Sequence, residues 1–313
     1  MLIRQLEYLV ALAQQKHFAH AAERCDISQP ALSLAIKNLE SELGVAIVAR
    51  GNRFQGFTPE GEIVLNWARR ILRDEETLKE ELRCCAGSLS GRVRLGVIPS
   101  ATAVSAKLAA AFAAEHPGVS FAELEMTSVD MLYALSAFNL DCGITYIDNE
   151  PVDRVRTLPI GHEEYVLVTP SDSPLASVTK VTWASAATLP LCLLHRDMQN
   201  RRILDAVFES VGARPEARIE TNSMLGKYCY LQLGWSTVMP RSMVDWLPPP
   251  PLMRVLPLVE PTVKKALGLI IADHATTPPL LKAFHAFVQA QTGRLDRRGL
   301  RFTPLIEPLL TSS

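Results

Sequence analysis

Apolar positions near the start of the chain fall at helical intervals. Ile3, Leu6, Leu9, Val10 and Ala13 define one face of a helix over 3–15. A second short helix is expected over Phe18–Cys25 ("FAHAAERC"), whose small residues let a neighbouring helix come close. Asp26 and Ile27 make a turn, and a third helix follows with Leu32, Ala35, Ile36, Leu39 and Leu43 facing inward. Its opening, "SQPALS", is polar. Ser28 is suited to accept an orphan backbone N–H, and Pro30 loses no intrahelical donor in a first turn. Gly44 ends this helix. "VAIVAR" (45–50) reads as a short strand, "GNRFQG" (51–56) as a glycine-bounded turn and Phe57 as the return. Three helices and a hairpin in this order predict a helix-turn-helix with a β-wing.

Thr58-Pro59 sets a cap residue before a proline at the first helical position, opening a helix that lasts to about Ala86. At ~1.5 Å per residue it spans roughly 42 Å, too long for burial in a small domain. Val64, Trp67, Ile71, Leu78, Leu82 and Cys85 form a stripe near heptad spacing, opposite a charged face that includes Arg69, Arg73 and Glu80. That is the pattern of a dimerising helix; packing on its own domain is the alternative.

Beyond the linker "GSLSG" the pattern alternates. Strands are expected at "RVRLGVI" (92–98), "SFAELEM" (120–126) and "LDCGITY" (140–146), with helices over Thr102–His116 and Val129–Phe138. Such βαβα order predicts a parallel sheet with covering helices. A second set opens at "EEYVLVTP" (163–170) and runs through "LPLCLL" (189–194), a helix near Asn200–Val211, "ARIETN" (217–222), a helix over Met224–Leu233 and "STVMP" (236–240). "ALGLIIA" (266–272) reads as a strand returning to the first set, and Pro279–Ala290 as a closing helix.

Composition narrows the class. The 313 residues suggest two or three domains, and 48% hydrophobic with 21% charged residues is a globular balance. The net charge of −1 points to no nucleic-acid or membrane partner in bulk. Arg4 and Glu7 interrupt the N-terminal apolar run, so no secretory signal is expected, and Lys107 breaks the apolar run at 101–114. A cytoplasmic location follows as the expectation. Six cysteines, at 25, 84, 85, 142, 192 and 229, include no CxxC pair. Free thiols are the reading, with a redox sensor as the alternative. "HFAH" (17–20) has no further ligand nearby, and neither a metal nor a cofactor is expected.

The stretch from Leu6 to Gly61 closely resembles the DNA-binding end of LysR-type transcriptional regulators. The features that carry the likeness are "AAE", "SQPALS", "LE.ELG", the arginine after the strand and "TPEG", in this order and spacing. "G.VRLGV", "LDCGI" and "VMPRSMV" extend it to about residue 290. The resemblance implies an α/β chain with an N-terminal winged helix-turn-helix, a long linker helix that dimerises, and a two-lobed effector domain like periplasmic binding proteins. The corresponding boundaries are 1–58 for the DNA-binding domain, 59–89 for the linker, 90–162 with 267–292 for the first lobe, 163–266 for the second and 293–313 for a tail. It also implies a homodimer or homotetramer on double-stranded promoter DNA that responds to a small molecule, with RNA polymerase as a further candidate partner.

On that reading Ser28 caps the recognition helix, and Gln29 can reach a base edge such as adenine N6 and N7 in the major groove. The alternative for Gln29 is an ordinary exposed first-turn residue. Pro30 meets a thymine methyl or only shapes the turn. Ser33 and Lys37 share the face of Gln29 and suit phosphate or base contacts; Arg53 in the wing suits phosphate or the narrow minor groove, and Arg50 suits either DNA or a structural ion pair. Leu34 departs from the family, many of whose members carry a basic residue there. The first 58 residues hold six basic against five acidic side chains, a net of +1, so few counterions would be released per monomer and oligomeric binding matters more.

In a two-lobed α/β domain ligands sit at the carboxyl ends of strands. Ser100, Thr102, Thr127, Ser128, Thr145, Thr221 and Ser223 concentrate there, and His195 and Arg196 add positive charge. A small anion, most simply a carboxylate, is the expected effector. The alternative is that the hydroxyls are helix caps and His195 a satisfied polar residue. No Walker loop, GxSxG, HExxH or metal-ligand spacing is present, so no catalytic residue is expected. A ligand-independent architectural DNA-binding protein and an enzyme-like metabolite-binding protein are the rival functions.

Overall fold

A computed structural model of the protein describes residues 1–49, 54–85, 89–151, 155–273 and 277–295. Arg50, Arg53, the Cys85 side chain and the tail from 296 lie outside the described residues. The chain divides into two compact units, Met1–Ser88 with Ser136–Asn139, and the remainder.

The first unit begins with α1 (Ile3–Gln15), α2 (Phe18–Arg24) and α3 (Gln29–Leu43). Leu12, Ala21, Ala22, Leu32 and Ile36 form one apolar cluster; Leu6, Leu9, Leu39 and Ile47 form another with Leu65 and Ala68 of α4 (Pro59–Cys85). Ser28 caps α3, its Oγ accepting from Ala31 N at 3.4 Å, and Gly44 closes the helix at φ 70°. The expected strand at 45–50 is not one among the described residues. It reduces to a Val48–Phe57 bridge flanked by Ala49 N–Gly56 O and Thr58 N–Ile47 O bonds, both 3.0 Å. The cause is local: Glu40 takes the Ile47 and Val48 amides on its carboxylate, at 2.7 and 3.1 Å, so they are committed to a side chain rather than to a strand partner.

"TPEG" acquires a physical meaning here. Thr58 Oγ1 accepts from Gly61 N at 2.9 Å, which caps α4, and donates to Ala46 O at 2.5 Å. A Cβ on Gly61 would lie 2.0 Å from Ile47 O, so the first turn of α4 can sit on the wing backbone only with glycine at this position.

The second unit is a mixed α/β structure. Lobe I contains β1 (Gly91–Val97), a 3₁₀ turn (Pro99–Ala101), α5 (Thr102–Glu115), β2 (Val119–Glu125), α6 (Ser128–Ser136) and β3 (Cys142–Tyr146). The long strand β4 (Val155–Pro170) then leads into lobe II, with β5 (Val181–Thr182), α7 (Trp183–Ala186), β6 (Leu191–Leu194), α8 (Gln199–Ser210), β7 (Ala217–Thr221), α9 (Met224–Gln232), β8 (Thr237–Pro240), α10 (Arg241–Trp246) and β9 (Met253–Val259). The chain returns through β10 (Lys264–Ala272) to α11 (Pro279–Leu295).

The parallel-sheet expectation needs correction. β1 pairs parallel with β2 and β3, but β10 runs antiparallel to both β3 and β4, giving the order β2-β1-β3-β10-β4-β9-β5. A chain that leaves a lobe and comes back must re-enter in the opposite sense, and that return strand is β10. The first half of β4 pairs with β10; the second half pairs with β8 and β9 in lobe II. Helix α6 lies close on β1 and β3 because Gly96 and Gly143 leave room for it: a Cβ on Gly143 would come 2.3 Å from Met131 Sδ. Asp141, buried beside Cys142, fastens β3 to β1 by accepting from Arg94 N and Nη2, both at 2.7 Å.

Gly61→Ala should destabilise the first unit by about 2 kcal/mol or more, since the clash is with backbone rather than a flexible side-chain tip. Chemical denaturation followed by Trp67 fluorescence would measure it, with exposed Asn66→Ala as the neutral comparison.

Candidate functional site

Two regions collect the residues singled out by sequence. On α3 of the first unit, Leu32, Ile36 and Leu39 are buried, while Gln29, Pro30, Leu34, Lys37 and Asn38 are exposed and Ser33 is half-buried. The buried triplet fixes which side of the helix faces outward. Leu34 is 59% exposed, a large apolar side chain on an otherwise polar surface.

The predicted stripe on α4 divides. Val64 and Ile71 pack against the apolar cluster of their own unit. Trp67, Leu78 and Leu82, joined by Ile63, are 55–64% exposed. Positions 63, 67, 78 and 82 fall within about 100° of one another on the helical wheel. Arg70 stacks its guanidinium 5.0 Å from the Trp67 ring centroid.

The second region is the seam between the lobes, where the first turn of α8 meets lobe I. Gln199 Oε1 accepts from Thr145 Oγ1 at 2.8 Å, while its Nε2 donates to Tyr146 O and Asn149 Oδ1 at 3.2 and 3.1 Å. Asn200 Nδ2 reaches Tyr165 OH at 3.5 Å. Arg202 Nε donates to Glu150 Oε1 at 2.6 Å and its Nη2 to Ser128 Oγ at 3.2 Å. Ser128 Oγ in turn donates to Glu150 Oε2 at 3.1 Å. Ser100, Thr145, Tyr146, Glu163, Tyr165, Gln199 and Asn200 are all buried. Ser100 Oγ, Tyr146 OH and Asn200 Oδ1 lie in this cluster without a well-formed hydrogen bond.

Glu163 sits where β4 crosses between the lobes. It accepts from Ser242 N at 3.1 Å and from the Ser242 hydroxyl, which gives "PRS" of the "VMPRSMV" motif a role at the start of α10. Burial outweighs these bonds and raises its carboxyl from 4.5 to about 7. Burial, with Glu163 adding to it, raises the Tyr146 hydroxyl as well.

Of the predicted effector residues, the structure brings Ser100, Ser128 and Thr145 to this seam. The others stand elsewhere. Thr127 Oγ1 accepts from Asp130 N at 3.1 Å, a cap on α6. Thr102 donates to Pro99 O at 3.1 Å and Glu125 at 3.4 Å. Thr221 Oγ1 accepts from Ser223 N at 3.2 Å, and Ser223 caps α9. His195 and Arg196 are exposed; His195 Nδ1 pairs with Asp197 at 2.9 Å. Glu220 lies near both and is held below the usual carboxylate range, first by its bond to buried Arg201. The positive end of β6 is therefore balanced locally by acids, and the cation that reaches the seam is Arg202. Sequence reading missed Tyr146, Glu163, Gln199, Asn200 and Arg202. The "QNRR" opening of α8 was the available signal: four long polar residues where a helix is expected to start.

Among the described residues no helix is long and apolar enough to cross a membrane. The family model described as "Bacterial regulatory helix-turn-helix protein, lysR family" matches residues 3–62, and "LysR substrate binding domain" matches residues 86–293. The DNA-binding transcriptional dual regulator OxyR of Escherichia coli K12 is 30% identical over 307 residues, covering 95% of this chain and 96% of its own. An SDS degradation transcriptional activation protein of a Pseudomonas species is 40% identical over 141 residues, 44% of each chain. Among solved structures, a full-length OxyR variant from Pseudomonas aeruginosa superposes with a TM-score of 0.71 at 24% identity, covering 92% of this chain and 98% of that one. CbnR in complex with its target DNA gives 0.68 at 22% identity, covering 93% and 99%. These likenesses in structure carry the fold.

The native state holds a proton on Glu163 up to about pH 7, whereas the unfolded chain releases it near 4.5. This contribution to stability is full below the lower value and is lost as pH rises through the upper one. Relative to Glu163→Gln, the wild type should lose on the order of 3 kcal/mol across that window, read as the difference between two urea-denaturation series.

Proposed function

Because the chain belongs to the LysR family of DNA-binding transcriptional regulators, we propose that α3 reads a promoter sequence while the interlobe seam takes the effector, with no catalytic step. The observation that carries the effector half is the group of three buried polar atoms, Ser100 Oγ, Tyr146 OH and Asn200 Oδ1, that lack a well-formed partner where the lobes meet. Tyr146 OH lies against Ser100, Tyr165 and Asn200, so these buried groups have only one another, in poor geometry, and a ligand with its own donors and acceptors would complete their bonding. Ser128 and Thr145 from lobe I and Gln199 and Arg202 from lobe II border the same seam. The effector class we favour is a small molecule with a carboxylate for Arg202 and a neutral hydrogen-bonding group for the trio. His195, Arg196, Thr102, Thr127 and Thr221 act as surface or capping residues in this reading.

On the DNA side, Gln29 makes the base contact, Ser28 holds the helix start, Pro30 lies beside the groove floor, and Ser33 and Lys37 meet phosphate or base edges. Leu34 stands on this face and suits a thymine methyl. Arg50 and Arg53 are assigned to the wing on sequence alone. The proposed domain boundaries are those of the sequence reading, and a cytoplasmic site of action accords with promoter binding. Hydrogen peroxide-inducible genes activators of E. coli O6:H1 and O157:H7 are among the relatives, each 30% identical over 307 residues. In this chain the buried polar groups of the seam are hydroxyls, amides and a carboxylate, which favours reversible ligand binding over thiol oxidation at that place.

Footprinting on the DNA upstream of the protein's own gene tests the reading. A dyad-symmetric protected site is expected, with Gln29→Ala weakening it about 5- to 150-fold, equivalent to about 1–3 kcal/mol for a base contact. Equal protection by the variant would reduce "SQPALS" to a capped helix. The apolar face of α4 makes a separate demand: Leu78→Glu with Leu82→Glu should shift the chain toward monomer in sedimentation equilibrium and shorten the footprint to one half-site.

A further inference from the structure

The contacts around Ser128 and Arg202 describe a carboxylate site that is already filled, by the chain itself. The Glu150 carboxylate takes one oxygen to Arg202 Nε at 2.6 Å and the other to Ser128 Oγ at 3.1 Å. Arg202 Nη2 also donates to Ser128 Oγ at 3.2 Å, and its Nη1 donates to Asp197 O at 2.5 Å, so the guanidinium is oriented by lobe II before it meets the acid. Ser128 is 4% exposed. An oriented guanidinium with a buried hydroxyl beside it is a recognition element for a planar, bidentate anion. Glu150 belongs to no helix or strand and lies just past the end of β3. Its side chain and that of Arg202 keep 26% and 35% of their exposure, so solvent reaches the pair.

We propose that Ser128 and Arg202 form a carboxylate subsite, that Glu150 occupies it as an internal ligand, and that a small monocarboxylate effector displaces Glu150 and takes over the bridge between the lobes. This rests on the reading of the seam as the effector site. The chemistry balances without any covalent step, since one carboxylate replaces another on the same donors. A tethered acid competes at an effective concentration in the millimolar range, so a bare carboxylate gains little against it. The effector must add bonds that Glu150 does not make, and Ser100, Tyr146 and Asn200, in the same seam as the first turn of α8, offer them. The subsite thus selects a carboxylate carrying a hydroxyl or carbonyl over a simple fatty acid. Displacement also frees Glu150 from Arg202, replacing one chain-borne bridge with a diffusible one while the Gln199 bonds to Thr145, Tyr146 and Asn149 remain.

Chemical rescue tests this in the full chain, with acetate as the probe and chloride at equal ionic strength as the control. In Glu150→Ala, acetate should raise the unfolding temperature by about 2–4 °C over chloride. The wild type and Glu150→Ala/Arg202→Gln should show no such difference. Equal acetate effects in all three chains, or none in Glu150→Ala, would overturn the proposal. Should Glu150→Ala not fold, Glu150→Gln carries the same comparison, because it keeps the shape and removes the charge; an acetate shift beyond that of wild type supports the subsite and its absence overturns it. The effector reading fails separately. An acetate shift together with a DNA footprint that no carboxylate alters keeps the subsite and removes the effector role, whereas a ligand-dependent footprint without any rescue overturns the subsite alone.

Discussion

Two adjacent strands tie the lobes of the second unit together, and most of its behaviour depends on them. β4 continues from the sheet of lobe I into that of lobe II, and β10 runs antiparallel beside it from Lys264–Glu164 to Ala272–Val155. A ladder of this length resists shear and stretching, because each residue of slip would break paired backbone groups. What remains soft is twist and a small bend at the crossing. A register shift between Leu267 and Gly268 lies near that crossing, and bulges of this kind let a strand bend. The pairing thus leaves twist and bending as the freedoms between the lobes, and the side chains at the seam bridge them. Glu163, buried at the crossing and bonded to the start of α10, ties lobe II to this same point.

Local signals survived translation into structure. Ser28, Gly44 and Thr58-Pro59 act where they stand in sequence, since a cap or a helix stop needs only its own neighbours within three or four residues. The apolar faces of α1 and α3 were equally legible, because their periodicity is written in consecutive turns. The wing strand was not: "VAIVAR" has strand composition, but Glu40, seven residues upstream of Ile47, intercepts its amides. The first half of β4 and all of β9 escaped because Pro159 and Pro257 interrupt them, and proline argues against a strand until its partners are known.

The candidate effector site was legible only in part, for a different reason. Ser100 and Ser128 follow strand ends and Thr145 lies in the last residues of β3, a rule of topology that sequence order reveals. Their partners come from the opposite lobe, 50 or more residues away, and no spacing rule connects Thr145 to Gln199 or Ser128 to Arg202. At His195 and Arg196 charge was legible but its surroundings were not. Positive residues at a strand end suggest an anion, but Asp197 pairs with His195, and Glu220, bonded to Arg201, lies near both. The same limit applies to α4, where one apolar stripe divides between the unit's own core and an exposed face. Val64 and Ile71 face the unit's own core, and only packing separates them from Trp67, Leu78 and Leu82.

The contact between Gly61 and Ile47 makes the reading head and the long helix a single lever. Backbone atoms of the wing rest on the first turn of α4, and Thr58 bonds to both, so neither can turn without the other. The arm is 27 residues, roughly 40 Å. A tilt of only ~5° at the far end of such an arm moves its near end by roughly 3–4 Å, about one base-pair step along duplex DNA. Two copies joined through their arms would thus convert a small change in crossing angle into a change of spacing between their recognition helices, with no rearrangement inside either head.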